Sequence, residues 1–252
     1  MKVCVIGGAN VDITATSREA FRAGDSNPGT VRLSPGGVGR NIAHNLALLG
    51  DEVCPTLPSS CFASLNDSSG EMVGGVADMV ATESISTQWL AERLPRVNAA
   101  DAVVADTNLL PETLAWLIDH VEKPLYLDAV SGSKAIRLRE AFAHSIRKHV
   151  FAFKCNALES DTLADVTGFT WRYITRGARG LDVTHEGTTR HFPALPSAVR
   201  NATGGGDALL AGLVHAGPEA PVEEAARIAL LCARCAVESD SAVNDNLKNL
   251  KL

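Results

Sequence analysis

Short apolar runs alternate along the chain with longer stretches whose apolar positions recur at helical spacing. Residues 2–7 form an apolar run ending in Gly7-Gly8, which predicts a buried strand. Residues 39–49 predict an apolar helix closed by Gly50, since glycine suits the position after a helix end. Residues 102–105 and 125–128 predict further buried strands, and 111–120 a helix opened by Pro111. Helices are expected at 135–148, 207–215 and 222–237, and short strands at 151–154 and 172–175. Apolar strands alternating with helices imply an α/β fold: a doubly wound, mostly parallel sheet flanked by helices.

Two stretches break this rhythm. Residues 11–34 are polar and turn-rich, and residues 60–76 alternate loosely about the turn Asn66-Asp67-Ser68-Ser69-Gly70. Both are expected to form a small β lid within one domain spanning 1–252.

Composition narrows the classes. The 252 residues are 46% hydrophobic and 21% charged, which suits a globular chain with a sizeable core. The net charge of −6 argues against a nucleic-acid binder that works by neutralising phosphates. No run approaches the ~18 apolar residues of a membrane span, and the first apolar run is too short for a signal sequence. The six cysteines therefore read as free thiols in a reducing cytoplasm. Cys232 and Cys235 share one face of an apolar helix and lack the second pair of a zinc site, so they read as core.

Three motifs carry candidate chemistry. Asn201-Ala202-Thr203-Gly204-Gly205-Gly206-Asp207 opens an apolar helix. Its glycine N–H groups and the positive helix end favour an anion, and a carboxylate there can take an alcohol's proton during phosphoryl transfer. Asp207 as a helix cap is the equal alternative. Pro35-Gly36-Gly37-Val38-Gly39-Arg40-Asn41 opens a second helix. It matches neither a Walker loop nor a dinucleotide fingerprint, and Asn41 in its first turn could hold sugar hydroxyls. Asn10 and Asp12, two apart after the first strand, could accept hydrogen bonds from a vicinal diol or form an Asx turn.

These motifs, in this order, resemble the ribokinase-like (PfkB) family of carbohydrate and nucleoside kinases. The first signature is matched by residues 36–50 and the second by 201–207, and the resemblance runs nearly end to end. It implies Asp207 as base, with Gly204, Gly205 and Gly206 forming an anion hole. It implies Asp12, Gly36, Gly37 and Asn41 on the ribose, with Asn10 in support. Asn156 and Glu159 resemble the motif that organises Mg²⁺ and phosphates through water; read cold, they are a capping pair. Thr175, Gly177 and Gly180 resemble the nucleotide loop, or a Gly-rich hairpin turn. Asn244 falls near the adenine and cation region, where the cation is monovalent, such as K⁺.

A subgroup likeness to members that phosphorylate pseudouridine rests on 25–29, on Gly70-Glu71-Met72 with Asp78-Met79, and on 128–131 with Lys134. It implies Ser26, Asn27 and Lys134 as readers of a uracil-like base. The expected activity is ATP-dependent phosphorylation of a ribonucleoside 5′-hydroxyl, with no nucleic-acid or membrane partner and a homodimer paired through the lid. A ribokinase, another nucleoside kinase, or a non-catalytic nucleoside-binding protein are the alternatives. Three departures stand out. Gly205 replaces the family's usual Ala, and Cys155 replaces a common Pro. Family content is absent near 53–54 and near 165–166.

Overall fold

The computed structural model describes residues 1–56 and 59–252, apart from the side chains of residues 55 and 56. Strand β1 (Lys2–Ile6) leads straight into the lid strands β2 (Ala9–Ser17) and β3 (Gly29–Gly36). Helix α1 (Val38–Leu48) returns the chain to β4 (Glu52–Thr56). Strands β5 (Ser59–Asn66) and β6 (Met72–Asp78) complete the lid. Three short helices follow, α2 (Val80–Glu83), α3 (Thr87–Ala91) and α4 (Leu94–Asn98). Then come β7 (Ala102–Asp106), α5 (Pro111–His120), β8 (Leu125–Asp128), α6 (Gly132–His144), β9 (Val150–Asn156), α7 (Ala157–Thr162) and β10 (Phe169–Thr175). The hairpin β11 (Leu181–His185) and β12 (Thr188–Phe192) precedes α8 (Gly205–Ala216) and α9 (Val222–Val237).

The main sheet runs β12-β11-β10-β9-β8-β7-β1-β4. From β10 to β4 every pairing is parallel, and the edge hairpin is antiparallel. Strands of such a sheet are covered on both faces, so both side-chain sets must be apolar. In β1, Cys4 and Ile6 face a layer with Leu90, Val97, Leu114 and Leu138 from α3 to α6. Val3 and Val5 face the opposite layer, with Ile42 and Leu46 of α1 and Leu210 and Leu213 of α8. Cys232 and Cys235 lie inside the contact of α9 with α8, where burial pushes the Cys232 thiol up to about 12. None of the described helices is long and apolar enough to cross a membrane.

The lid is a second sheet ordered β3-β2-β5-β6, with β2 and β5 parallel in its middle. The Asp67 carboxylate closes its 66–70 turn by accepting the N–H groups of Ser69 and Glu71.

Some boundaries and elements differ from the sequence expectation for local reasons. Helix α6 ends at His144 because the Asp119 carboxylate collects the N–H groups of Ile146 and Arg147 and the Ser145 hydroxyl. Helix α8 begins two residues early, at Gly205, because Gly204 takes a left-handed φ of 86° that starts the helix. The hairpin β11–β12 and helices α2 to α4 were not expected; they are too short or too polar to show periodicity. Around the two points where the resemblance lacks content, β4 ladders onto β1 through Val53 and Cys54, and the Val166 N–H bonds the Leu163 carbonyl.

Leu46 is wholly buried between α1 and the sheet, while Ile146 is 88% exposed. Leu46→Ala is expected to lower unfolding stability by about 2–5 kcal/mol and Ile146→Ala by under ~0.5 kcal/mol, read from denaturant midpoints at equal slope.

Candidate active site

The sheet order reverses about β1, with β4 on one side and β7 on the other, and crevices at such switch points open at the carboxyl ends of the strands. There, Gly7 and Gly8 pass against Asp106 and Asn108. A Cβ on Gly7 would lie 2.3 Å from an Asp106 oxygen, and one on Gly8 2.5 Å from the Asn108 amide. Asp106 accepts the N–H groups of Gly8 and Asn108, each at 2.9 Å. Burial pushes its pKa up to about 6. The first glycine motif docks on the same loop. Gly37 has φ 92°, and a Cβ there would fall 2.5 Å from the Gly8 carbonyl, so the position requires glycine twice over.

Asp207 occupies the first turn of α8 and is 8% exposed. Its Oδ2 accepts the Asn41 Nδ2 at 2.7 Å, which joins the two glycine motifs across 166 residues of chain. Burial and the Asp128 charge raise its pKa to about 7, against the pull of Lys154 and Asn41. Lys154, at the end of β9, pairs with Asp128 at the end of β8 at 2.9 Å. A Cβ on Gly206 would touch the Lys154 ammonium at 2.8 Å. A Cβ on Gly205 would meet a Val237 methyl at 2.8 Å, which accounts for glycine where alanine was expected.

Oxygens on Asn41, which bonds Asp207, and on Asn10 and Asp12 of β2 are buried with no hydrogen-bond partner among the described residues, and Arg40 feels the charges of both Asp12 and Asp207. Buried oxygens of this kind are normally satisfied, so three together mark a place where a ligand or water donates. Asn10 pairs in register with Gly36. A Cβ on Gly36 would lie 1.9 Å from the Asp12 carboxylate. Burial raises the Asp12 pKa against an Asn10 hydrogen bond and the Arg40 charge. Arg40 bonds the carbonyls of Pro35 and Gly36, tying the end of the lid strand β3 to α1.

Asn156 and Thr175 are register partners at the carboxyl ends of β9 and β10. Asn156 and Glu159 form a reciprocal capping box: the Asn156 side chain accepts the Glu159 N–H at 2.9 Å, and Glu159 Oε2 accepts the Asn156 N–H at 2.8 Å. The capping geometry is therefore present, with Glu159 3% exposed and its pKa raised by burial. Among the described residues no group of three or more His, Cys, Asp or Glu can hold a metal directly. A buried hard carboxylate such as Glu159 fits a magnesium ion held through water.

Gly177 faces open space with φ 56°, whereas Gly180 is required by the hairpin, since a Cβ there would lie 2.1 Å from the Phe192 carbonyl. The Asn244 side chain donates to the Cys235 carbonyl of α9 and accepts the Asn246 N–H of its own turn, and its loop passes Gly204 at Ala242.

Ser26 and Asn27 are not brought to this crevice within the chain. They lie in the turn beyond the Ser17–Gly29 pair, seven register steps from Asn10–Gly36, or about 23 Å at ~3.3 Å per residue. The Asn27 side chain closes that turn on Arg22 and Asp25. Lys134 does reach the rim, where its ammonium bonds the Asn108 side-chain oxygen. Burial lowers its pKa. Sequence reasoning gave no role to Arg40, Asp106, Asn108 or Lys154. The available signal was a charged residue ending an apolar strand, as Asp106 and Asp128 do.

Comparison with known proteins gives the family and the fold. A model of the pfkB family carbohydrate kinases matches residues 81–249. The pseudouridine kinase of Escherichia coli K12 is 29% identical over 296 aligned positions, covering 97% of this chain and 93% of the relative. That alignment is longer than the 252-residue chain, so the relative carries residues that this sequence lacks. A guanosine-inosine kinase of Exiguobacterium acetylicum is 48% identical over 52 residues, 21% of this chain and 17% of that protein. Among solved structures, Arabidopsis thaliana ribokinase complexed with ribose and ATP superposes with TM-score 0.78 at 17% identity, covering 98% of this chain and 97% of that one. The parallel sheet flanked by helices is thus the fold of the ribokinases, and the chain belongs to the pfkB family of carbohydrate kinases, phosphotransferases with a hydroxyl group as acceptor.

Proposed function

We propose that the protein transfers the terminal phosphoryl group of ATP to the 5′-hydroxyl of a ribonucleoside, with pseudouridine as substrate. One observation carries the chemistry: the Asp207 carboxylate, buried at the positive end of α8, bonds Asn41, whose oxygen is unpartnered like those of Asn10 and Asp12. Those oxygens match the donors of a ribose diol. Asp207 takes the proton of the acceptor hydroxyl as the new O–P bond forms. The N–H groups of Gly204 and Gly206 face the charge that develops on the transferred group, and the Gly205 N–H joins them by giving up its long 3.4 Å bond to the Ala202 carbonyl. Asn156, Thr175, Gly177 and Gly180 line the phosphate end, and Asn244 the adenine end. Glu159 holds magnesium through water, and the ion neutralises the triphosphate when bound.

The choice of nucleoside rests on the end-to-end likeness to a pseudouridine kinase and on Lys134, which presents an ammonium at the rim for a base carbonyl. The local likeness to a guanosine-inosine kinase favours a purine nucleoside as the second reading. A panel scored by ADP release separates them. Pseudouridine is expected to exceed uridine, inosine and free ribose in kcat/KM by about tenfold or more; equal rates on ribose would contradict the substrate reading.

Asp207→Asn is expected to fold normally and lose about 10²–10⁴ in kcat. Because the base must be charged, and its pKa is raised to about 7, wild-type kcat/KM should climb as pH rises through about 7 and level off above it. A flat profile from pH 5 to 9 would contradict the assignment.

The lid supports pairing of two copies. By register, Leu33, Ile13, Ala63 and Val76 stand in one cross-strand row, and Val31, Ala15 and Leu65 in the next. Val31, Leu33 and Val76 are each about 70% exposed, an apolar face with no cover in one chain. Light scattering is expected to give a dimer, and Leu33→Lys a monomer; an unchanged mass for Leu33→Lys would exclude this face.

A further inference from the structure

The Asp128–Lys154 pair has no role in the reaction as described, yet it lies under the catalytic loop. Lys154 is a buried ammonium at the site, and among the described residues its hydrogen-bond partner is Asp128, at 2.9 Å. Asp128 is spent on Lys154 through Oδ2 and on the Val130 N–H through Oδ1. The ammonium lies so close to Gly206 that a Cβ there would sit 2.8 Å from it. Glycine at 206 thus admits a cation beneath the residue that precedes Asp207.

The charges around Asp207 can be followed element by element. Asp106 on β7 and Asp128 on β8 oppose its negative charge, and Lys154 on β9 favours it. Arg40 on α1 also attracts it, from a position bonded to the end of β3 and shared with Asp12 on β2. Asn41 on α1 donates to it. Glu159 on α7 acts on Lys154. Burial would lower the Lys154 pKa, yet Asp128 and Asp207 outweigh it and hold the group charged. Without Lys154, the buried carboxylates of Asp207, Asp128 and Asp106 would face one another with only Arg40 beside Asp207 and Lys134 of α6 beside Asp106 as nearby cations, and one would take up a proton.

We propose that Lys154, anchored by Asp128, is the positioning residue that keeps Asp207 ionised and aligned beneath the anion hole. This rests on the kinase reading above. In the step itself, the acceptor O–H proton moves to an Asp207 oxygen, the acceptor oxygen bonds the terminal phosphorus, and the β–γ bridging oxygen leaves with ADP. Lys154 exchanges no proton.

The test is the pH dependence of kcat/KM for the full chain with ATP and pseudouridine, read for both its acid limb and the KM for ATP. Lys154→Met should raise the acid limb by about one pH unit or more, a roughly tenfold loss below the limb with a smaller loss at pH 9. Asp128→Asn should move the limb the opposite way, because it removes a repelling charge while leaving the ammonium free to face Asp207. The double variant replaces a buried ion pair by a neutral one and should fold, with its limb between the two. Lys154→Arg should restore most of the wild-type profile. A merely structural role would lower kcat in all variants without moving the limb, and that result overturns the proposal. A raised KM for ATP with an unmoved limb would make Lys154 a phosphate ligand and overturns it as well. If the wild-type protein forms no ADP with any acceptor while binding nucleoside by calorimetry, the kinase reading fails first and this proposal with it.

Discussion

Everything at the crevice answers to one constraint: a carboxylate, Asp207, is buried at the start of a helix where three other charged side chains converge. Burial alone pushes a carboxylate towards its neutral form. The surroundings oppose that with a positive helix end, the Asn41 amide and the Lys154 ammonium. They oppose it only in part, since Asp128 and Asp106 act the other way. The balance leaves the Asp207 carboxyl with its pKa near neutrality, the range the proposed proton transfer from an alcohol would need.

The fold supplies this balance by convergence of strand ends. Strands β7, β8 and β9 finish on Asp106, Asp128 and the 154–156 segment, and the loop after β1 is held down by Asp106. Close packing of backbone makes the convergence tight. Gly37 rides on the Gly8 carbonyl and Gly204 on the Ala242 carbonyl, both with φ values that side chains rarely adopt. Arg40 then binds the end of β3, so the lid, the first glycine motif and the base form one connected unit.

Much of this was legible in the sequence. The apolar runs of β1, β7 and β8 are bounded by turn residues and covered on both faces, so composition alone marks them. The glycine motifs stand out as helix openings, but from spacing alone Asp207 read equally well as a cap, and only the order of the three motifs pointed to one site. Pairings over long separations were not legible. Nothing near Lys154 says that Asp128 will neutralise it, because the two meet only when β8 and β9 lie side by side. The edge hairpin was missed because β12 is exposed and polar. Ser26 and Asn27 were expected at the nucleoside from the subgroup likeness alone, and the length of the β2–β3 hairpin, which no local pattern announces, puts them at its far end within one chain.

The most direct measurement is a crystal structure of the protein with pseudouridine and a non-hydrolysable ATP analogue. The account requires the 5′-hydroxyl oxygen to lie about 2.6–3.2 Å from an Asp207 oxygen, with the ribose diol donating to Asp12. A nucleoside bound with its 5′-hydroxyl away from Asp207, or with Asn10, Asp12 and Asn41 still unpartnered, would contradict it.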